Sequence, residues 1–191
     1  MPRTDRIGEA RKILVYGATG SGKSTLAQTL GELTGIPVTS VDDICWNPGW
    51  VQMPADEQIE TFNEITQTDA WILDSAYGPW RHLVAERADL VVALDFARLV
   101  SLGRLLRRTG ARIVDGREIC NGNHESWRTV FARDSLVMWH FTSFRRKREE
   151  MRAWEAAATG PRVIRLRKPA HARSFLASET ARRQTFADPP S

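Results

Sequence analysis

The stretch GATGSGKS, residues 17–24, restricts the possible fold more than any other part of this chain. It matches the pattern G-x-x-x-x-G-K-[ST], follows the apolar run KILVY, and leads into the helical pattern STLAQTLGELTG. Glycines at these positions let successive backbone N–H groups turn inward around an anion, at a helix N-terminus that already favours negative charge. The sequence therefore predicts a strand, a phosphate-binding loop and a helix, in that order.

Short apolar runs alternate with longer helical patterns along the rest of the chain. The predicted strands are 12–16, 36–41, 70–74, 88–96 and 162–166. The predicted helices are 23–34, 55–68, 79–87, 98–109, about 126–157 and 170–183. This alternation favours a parallel sheet that helices cover on both faces, so the expected fold class is α/β. A length of 191 residues suits one domain, residues 1–191.

Composition narrows the class of protein. Hydrophobic residues make up 42% and charged residues 26%, as in ordinary soluble domains. The sequence has no apolar run approaching the ~20 residues that span a bilayer, and its polar N-terminus does not resemble a signal peptide. Two cysteines, Cys45 and Cys120, indicate neither a disulfide framework nor a metal cluster. We expect a cytoplasmic protein without a membrane partner.

The glycine-rich loop predicts nucleotide binding, and its residues have separate roles. Lys23 should reach the β- and γ-phosphates, and the Ser24 hydroxyl should bind Mg²⁺. The GTP-specific pattern N-K-x-D is absent, which favours ATP. The expected ATP-binding residues are Gly17, Ala18, Thr19, Gly20, Ser21, Gly22, Lys23, Ser24 and Thr25.

Asp74 ends the apolar run WILD, at the carboxyl end of a predicted strand. There it could orient Mg²⁺ and its water molecules. It could equally be a helix cap or a turn residue.

The stretch VDDICWNPGW, residues 41–50, places two carboxylates and two tryptophans after a predicted strand. Ligands of open parallel sheets bind beyond the carboxyl ends of the strands. Asp42 or Asp43 could orient or deprotonate an acceptor hydroxyl, while Trp46 and Trp50 supply flat walls. Alternatively, one aspartate caps a helix and the tryptophans close the edge of the core.

A group of arginines follows the fourth predicted strand. Arg104 and Arg108 are four residues apart, hence on one face of a helix, with Arg107 to the side. Phosphoryl transfer requires cations around the moving group, although a solvated basic face has the same spacing. Residues 109–126 are rich in glycine and asparagine and predict a mobile flap, or lid. Arg117 and Arg128 are weaker candidates for this cluster.

The chain resembles the adenylate-kinase-like P-loop kinases, specifically the bacterial branch of topology modulation (FlaR-like) proteins. The matching pieces are GATGSGKST, SVDDICWNPGW, WILDSAY, ADLVVALDFARLVSLGRLLRR and GPRVIRLRKPAHARSFL. The resemblance implies a three-layer fold with a five-stranded parallel sheet, an acceptor site after the second strand (about 42–70), and a short lid bearing arginines. It carries catalytic roles to Arg104 and Arg108, and an adenine-binding turn to residues 167–172. The run LDSAYGPW departs from nucleotide kinases, where a Gly-Phe-Pro-Arg run would be expected.

Charge is unevenly distributed, and this bears on the acceptor. Residues 24–80 contain nine acids and no lysine or arginine, and Arg81 is the first cation after them. Such a pocket favours an unphosphorylated acceptor with a hydroxyl group, so the preferred function is an ATP-dependent phosphotransferase using Mg²⁺. A nucleoside monophosphate kinase that uses Arg81 is the alternative. A DNA- or RNA-associated ATP-binding protein is a third possibility, because the chain is basic, with a pI of about 9.5.

Overall fold

The computed structural model describes residues 6–116, 118–124 and 136–187. Five parallel strands form the central sheet: β1 (Lys12–Gly17), β2 (Val38–Thr39), β5 (Trp71–Leu73), β6 (Leu90–Leu94) and β9 (Arg162–Leu166). Their order is β2-β5-β1-β6-β9, so β1 is the central strand. The loop that follows β1 therefore lies at the carboxyl ends of the strands, in the middle of the sheet. Two short antiparallel hairpins are formed by β3 (Trp46–Asn47) with β4 (Val51–Gln52), and by β7 (Glu118–Ile119) with β8 (Asn123–His124).

The helices in the described part of the chain connect these strands. They are α1 (Lys23–Thr34), α2 (Val41–Cys45), α3 (Ala55–Gln67), α4 (Arg81–Arg87), α5 (Arg98–Asp115), α6 (Leu136–Ala156) and α7 (Pro169–Ala187). A single 3₁₀ turn, Gly78–Trp80, precedes α4. The predicted α/β class and five-stranded parallel sheet are confirmed.

Two hydrophobic clusters hold the layers together, one on each face of the sheet. Alternate residues of β1 enter different clusters: Ile13 and Val15 pack with α1 and α7, whereas Leu14 and Tyr16 pack on the other side. Burial on both faces explains why the strands are continuous apolar runs without polar alternation. On the second face, Phe62 stacks on Trp80 at 3.7 Å between ring centroids, which joins α3 to α4.

The second predicted strand is shorter than expected. The run 36–41 forms a strand only at Val38–Thr39, and the chain then turns into the short helix α2. The cause is a distant residue, because Oδ1 of Asp74 accepts a hydrogen bond from the N–H of Val41 at 2.9 Å. Asp42 and Asp43 consequently lie in the first turn of a helix, where negative charge is favoured.

The predicted flap also differs from expectation. Helix α5 does not end at residue 109 but continues through Thr109, which is buried, to Asp115. Its terminating glycine is Gly116, whose φ of 60° and N–H bond to the Arg112 carbonyl form a left-handed cap. Residues 118–124 then form the β7–β8 hairpin, called here the lid hairpin. Arg117 and Arg128 lie outside the described residues.

Candidate active site

The phosphate-binding loop after β1 has the backbone conformation that its glycines predict. Gly20 and Gly22 have φ values of 81° and 95°, a region that side chains rarely adopt. A Cβ atom on Gly20 would lie 2.3 Å from the Ser101 carbonyl oxygen, so the loop packs directly on α5. Glycine is therefore required at position 20 for conformation and for space.

Helix α1 presents an uncapped N-terminus to this loop. Its N-cap is Gly22, no side chain caps it, and its first turn contains no acidic residue. The N–H groups of Lys23, Ser24 and Thr25 therefore begin the helix without a protein anion, which is the arrangement that binds phosphate. Ser24 is exposed and lies in this first turn, as a Mg²⁺ ligand would require.

The side chain of Lys23 turns back over the loop, where Nζ donates to the Ala18 carbonyl oxygen at 3.1 Å. Burial lowers the pKa of Lys23, while the charges of Asp42 and Asp74 raise it and that of Arg108 lowers it. Three other predicted site residues thus lie close enough to the Lys23 ammonium group for their charges to act on it.

Two side chains hold the outer surface of the loop. Arg104 donates from a guanidinium nitrogen to the Ser21 carbonyl oxygen at 3.2 Å, and its guanidinium lies 5.6 Å from the Phe96 ring centre. His140 donates from Nδ1 to the Thr19 carbonyl oxygen at 3.0 Å. Holding these carbonyls outward leaves the loop N–H groups free to face inward. His140 was not among the residues predicted from sequence.

The two predicted arginines therefore have different surroundings. Arg104 is half-buried behind the loop. Arg108 is exposed, and its charge lowers the pKa values of both Lys23 and Asp42, so it faces the site. Arg107 is exposed as well, as expected for a residue to the side of the pair.

The two predicted aspartates also separate. Asp42 lies in a cleft that water reaches, but protein surrounds it closely enough that desolvation raises its pKa. Asp74 raises this pKa further, whereas Lys23, Lys147 and Arg108 lower it. Asp43 is exposed, and its carbonyl oxygen accepts a hydrogen bond from Asn121 of the lid hairpin at 2.7 Å. Of these two aspartates, Asp42 is the one whose charge affects the pKa of Lys23.

Asp74 is only 4% exposed at the end of β5. It accepts a hydrogen bond from the first N–H of α2, a helix whose own N-cap residue is Ser40, and it thus caps that helix from another part of the chain. Its charge nevertheless acts on both Lys23 and Asp42. A cap through Oδ1 and a metal-orienting role through the remaining oxygen are compatible.

Tyr77 supports Asp42 and was missed by the sequence analysis. Its hydroxyl donates to Oδ1 of Asp42 at 3.4 Å. Burial and the charge of Asp42 raise the pKa of Tyr77, so the hydroxyl remains a donor at neutral pH. The adjacent Cys45 is buried and its pKa is raised to about 11, which keeps it a thiol.

Trp46 and Trp50 lie edge to face, with ring centroids 6.1 Å apart. Both are half-buried, and Trp46 packs against the second hydrophobic cluster. The pair therefore closes part of the core edge while remaining accessible from the cleft. Trp50 has a φ of 59°, an unusual conformation for a bulky residue.

The lid hairpin is bound to the tryptophan segment by two asparagine side chains. The amide of Asn121 donates to the carbonyl oxygens of Asp43 (2.7 Å) and Trp46 (2.9 Å). The amide of Asn123 donates to Asn47 at 2.9 Å and accepts from the N–H of Trp50 at 2.8 Å. These bonds make the lid hairpin one wall of the cleft.

Arg81 is engaged by another side chain of the protein. Its guanidinium forms an ion pair with Glu150 at 3.0 Å, and its side chain is 13% exposed. Glu150 also accepts a hydrogen bond from the Tyr16 hydroxyl. Arg81 thus links α4 to α6 beneath the site.

Lys147 on α6 is the most important residue that sequence reasoning missed. Its side chain is only 3% exposed, although the surrounding run 144–152 predicts a solvated helix face. Arg145 and Glu149 do form an exposed pair at 2.8 Å. Lys147 lies three or four positions from the buried Ser143, Phe144 and Met151, and two helical turns from the buried His140. This periodicity is the signal that could have identified it.

A second cleft lies at the carboxyl ends of β6 and β9, next to the turn 167–172. Its volume is about 460 Å³, and Arg167 lines it. On its floor the buried Asp95 pairs with Arg148 at 2.8 Å and with Arg165 at 3.1 Å. The turn is shorter than expected because α7 begins at Pro169. The adenine-binding role of residues 167–172 stays a prediction.

No protein-family model and no curated protein sequence match this chain. Solved structures do match it. A shikimate kinase from Acinetobacter baumannii in complex with shikimate has a TM-score of 0.54 and 15% identity, over 97% of this chain and 98% of that one. A deoxyadenosine kinase from M. mycoides has a TM-score of 0.53 and 10% identity, over 91% and 98%. A gluconokinase from Sinorhizobium meliloti 1021 has a TM-score of 0.50 and 15% identity, over 93% and 98%.

Among the described residues, no helix is both long and apolar enough to cross a membrane. The loop, the sheet order and these structural matches agree. The chain therefore has the fold of the P-loop kinases.

Proposed function

We propose that this protein is an ATP-dependent phosphotransferase that moves the γ-phosphoryl group of ATP to a hydroxyl group of a small acceptor. The observation that carries the proposal is the uncapped N-terminus of α1 at the glycine-rich loop, where Lys23 lies close enough to Asp42 for each charge to affect the pKa of the other. This pairing places a phosphate-binding cation beside a group that can orient or deprotonate a hydroxyl. ATP is the proposed donor, and the cytoplasm the proposed location. The proposed branch of the P-loop kinases is that of the topology modulation proteins, because the chain contains the motifs GATGSGKST and SVDDICWNPGW.

In the proposed reaction, the acceptor oxygen attacks the γ-phosphorus and the bond from that phosphorus to the bridging oxygen of ADP breaks. The hydroxyl proton passes to Asp42 or to solvent. Mg²⁺ would be held by the Ser24 hydroxyl and, through its water molecules, by Asp74, and would neutralise charge on the phosphates. Arg108 would supply further positive charge as the phosphoryl group moves.

The acceptor is proposed to be unphosphorylated. Arg81, the cation that a nucleoside monophosphate would require, forms an ion pair with Glu150. The cations that do approach Asp42 are Arg108 and Lys147, which come from α5 and α6. Because Lys23 lies with them, we assign these charges to the phosphoryl group being transferred. The tryptophan pair would contact the carbon skeleton of the acceptor.

The test is an acceptor screen that measures ADP release, with product mass confirmed by mass spectrometry. The panel contains sugar acids, other hydroxy acids, polyols, nucleosides, aminoglycosides and nucleoside monophosphates. A phosphorylated product that forms with wild type but not with Lys23→Ala supports the proposal. Phosphorylation of nucleoside monophosphates alone would favour the nucleotide kinase alternative. Salt-sensitive binding of DNA or RNA, without any phosphorylated product, would favour the nucleic-acid alternative.

A further inference from the structure

Lys147 is a buried lysine whose positive charge is not matched by an ion pair in the described part of the chain. It extends from α6 toward β1, and its Nζ lies 5.8 Å from the centre of the Tyr16 ring. Within the described part of the chain, no carboxylate forms an ion pair with it. Glu150, one turn further along the helix, is instead engaged by Arg81 and by the Tyr16 hydroxyl. A buried cation in this situation is unfavourable unless a ligand supplies negative charge.

The titratable groups around Lys147 belong to several elements. Tyr16 belongs to β1, Lys23 to α1 and Asp42 to α2, while His140, Arg146 and Glu150 share its helix, and Arg81 lies at the start of α4. Burial has the largest effect and lowers the pKa of Lys147 to about 7. Lys23 lowers it next, and the opposing effect of Asp42 is smaller. The geometry points to the phosphate loop as well: Tyr16, over whose ring Nζ of Lys147 lies, directly precedes the loop, and His140 of the same helix bonds to the loop at Thr19.

We propose that Lys147 is a second phosphate-binding lysine, whose counter-ion is the γ-phosphate of the bound nucleoside triphosphate. The proposal rests on the proposed function, since it assigns the triphosphate to the loop that contains Lys23. A bound anion would offset the repulsion between Lys23 and Lys147, which the charge of Asp42 opposes only in part. The γ-phosphate is favoured over an acceptor group because Lys23 belongs to the phosphate loop.

A purely structural role has a different consequence. If Lys147 served only to fill space against Tyr16, a methionine of similar length would replace it without affecting ligands. Lys147→Met would then prefer ATP over ADP to the same extent as the wild type does. The two roles are therefore distinguished by comparing ATP with ADP, which lacks the γ-phosphate.

The experiment measures binding of ATP–Mg²⁺ and ADP–Mg²⁺ by isothermal titration calorimetry without an acceptor. In Lys147→Met, affinity for ATP should fall by about tenfold or more, while affinity for ADP changes by less than about threefold. Lys147→Arg keeps the charge and should retain most of the preference for ATP. The matched control is Lys12→Met, at the opposite end of β1, which should bind both nucleotides as wild type does.

A pH series provides the second readout. A phosphate beside Lys147 raises its pKa, so binding takes up a proton above about pH 7. Affinity of the wild type for ATP should therefore fall between pH 7 and 9, and the fall should be smaller in Lys147→Arg, which stays protonated. Should Lys147→Met fail to fold, this comparison decides the question, and identical slopes in both proteins would overturn the proposal.

Other outcomes separate this inference from the proposed function. Wild-type ATP affinity in Lys147→Met, or equal losses for ATP and ADP, would overturn the inference even if an acceptor is phosphorylated. A selective loss for ATP would support the inference even if no acceptor in the screen is phosphorylated. The phosphotransferase proposal would then fail alone.

Discussion

The buried carboxylate of Asp74 accepts a hydrogen bond from the backbone N–H of Val41 at 2.9 Å. This single bond starts α2 at the end of the short strand β2, and α2 in turn carries Asp42 toward Lys23. Asp74 also contributes charge to both of these residues. The contact therefore combines a structural cap with the electrostatics of the site, and substitution can separate the two.

Asp74→Asn keeps an oxygen that can accept from Val41 but removes the charge. We expect a loss of no more than about 1 kcal/mol in unfolding free energy, because the cap persists. Turnover should fall by at least about tenfold, with a raised requirement for Mg²⁺, if the charge orients the metal. Asp74→Ala should lose stability as well, by about 1–3 kcal/mol, because a buried N–H is left unpaired. Denaturant unfolding and Mg²⁺ titrations of turnover measure both effects, and an Asn variant with normal turnover would reduce Asp74 to a cap.

Arg108→Ala and Arg104→Ala should differ, since Arg104 is half-buried and donates to the loop backbone, whereas Arg108 is exposed at the site. Arg108→Ala should lower kcat by about 10²-fold with an unchanged melting temperature, because it removes charge from the moving phosphoryl group. Arg104→Ala should also raise the KM for ATP and lower the melting temperature, because the Ser21 carbonyl loses its partner. Arg107→Ala, on the same helix and exposed, is the control. Wild-type kinetics in Arg108→Ala would show that it belongs to a solvated face.

The raised pKa of Asp42 predicts a pH effect on activity and the opposite effect on stability. As pH falls through this pKa, the carboxylate gains a proton and turnover should decline. The folded state holds this proton more tightly than the unfolded state does, because burial raises the pKa of Asp42. Ionisation of Asp42 therefore lowers the free energy of unfolding at pH values above its folded-state pKa, and it has no such effect below the ordinary pKa of aspartate. Asp42→Asn should therefore lose acceptor phosphorylation, retain ATP affinity, and melt at the same or a higher temperature than wild type at pH 7.

Asp43→Asn is the matched control for that experiment, because Asp43 is exposed and contacts the lid hairpin through its backbone. It should retain most activity. Asn variants that lose stability and ATP binding together would contradict the catalytic assignment of Asp42.

Asn121→Ala and Asn123→Ala should release the lid hairpin from the tryptophan segment. Each variant loses two hydrogen bonds to that segment, and Asn123 is buried and also donates to the Cys120 carbonyl oxygen, so its replacement should have the larger effect. We expect faster proteolysis within residues 116–124 and a KM for the acceptor raised by about three- to tenfold, with ATP binding little changed. Gln184→Ala, on the exposed part of α7, is the control. Unchanged proteolysis and acceptor KM in both variants would show that the hairpin is held by other contacts.

Trp50→Ala and Trp46→Ala should raise the acceptor KM by removing apolar walls of the cleft. Trp46 also packs against the core, so its loss should lower the melting temperature more than the loss of Trp50 does. Steady-state kinetics and thermal unfolding measure the two effects. A bound acceptor or analogue that contacts neither Asp42 nor either tryptophan in a crystal structure would contradict the acceptor-site assignment.

Local pattern was sufficient for much of this protein. The glycines of the loop, the buried apolar runs and the helical periodicity of α1 and α3 are properties of neighbouring residues, so the α/β class and the loop could be predicted. Boundaries failed where two local signals competed. At residues 109–116, for example, Thr109-Gly110 and Gly116 offer alternative ends to α5, and the burial of Thr109 selects the second.

The chain's sequence by itself thus determined the phosphate loop, the sheet that supports it and the separation of acidic from basic segments. Only the tertiary structure decided which charges meet. Asp74 caps a helix 33 residues away, and Asn123 reaches a backbone 73 residues away. Lys147, from a distant part of the sequence, comes close enough to Lys23 and Asp42 for their charges to affect its pKa. Such contacts depend on the order of strands in the sheet and on which face of each helix is buried. A lysine in a run of charged residues has the same local pattern whether it faces water or a phosphate, and packing alone distinguishes the two.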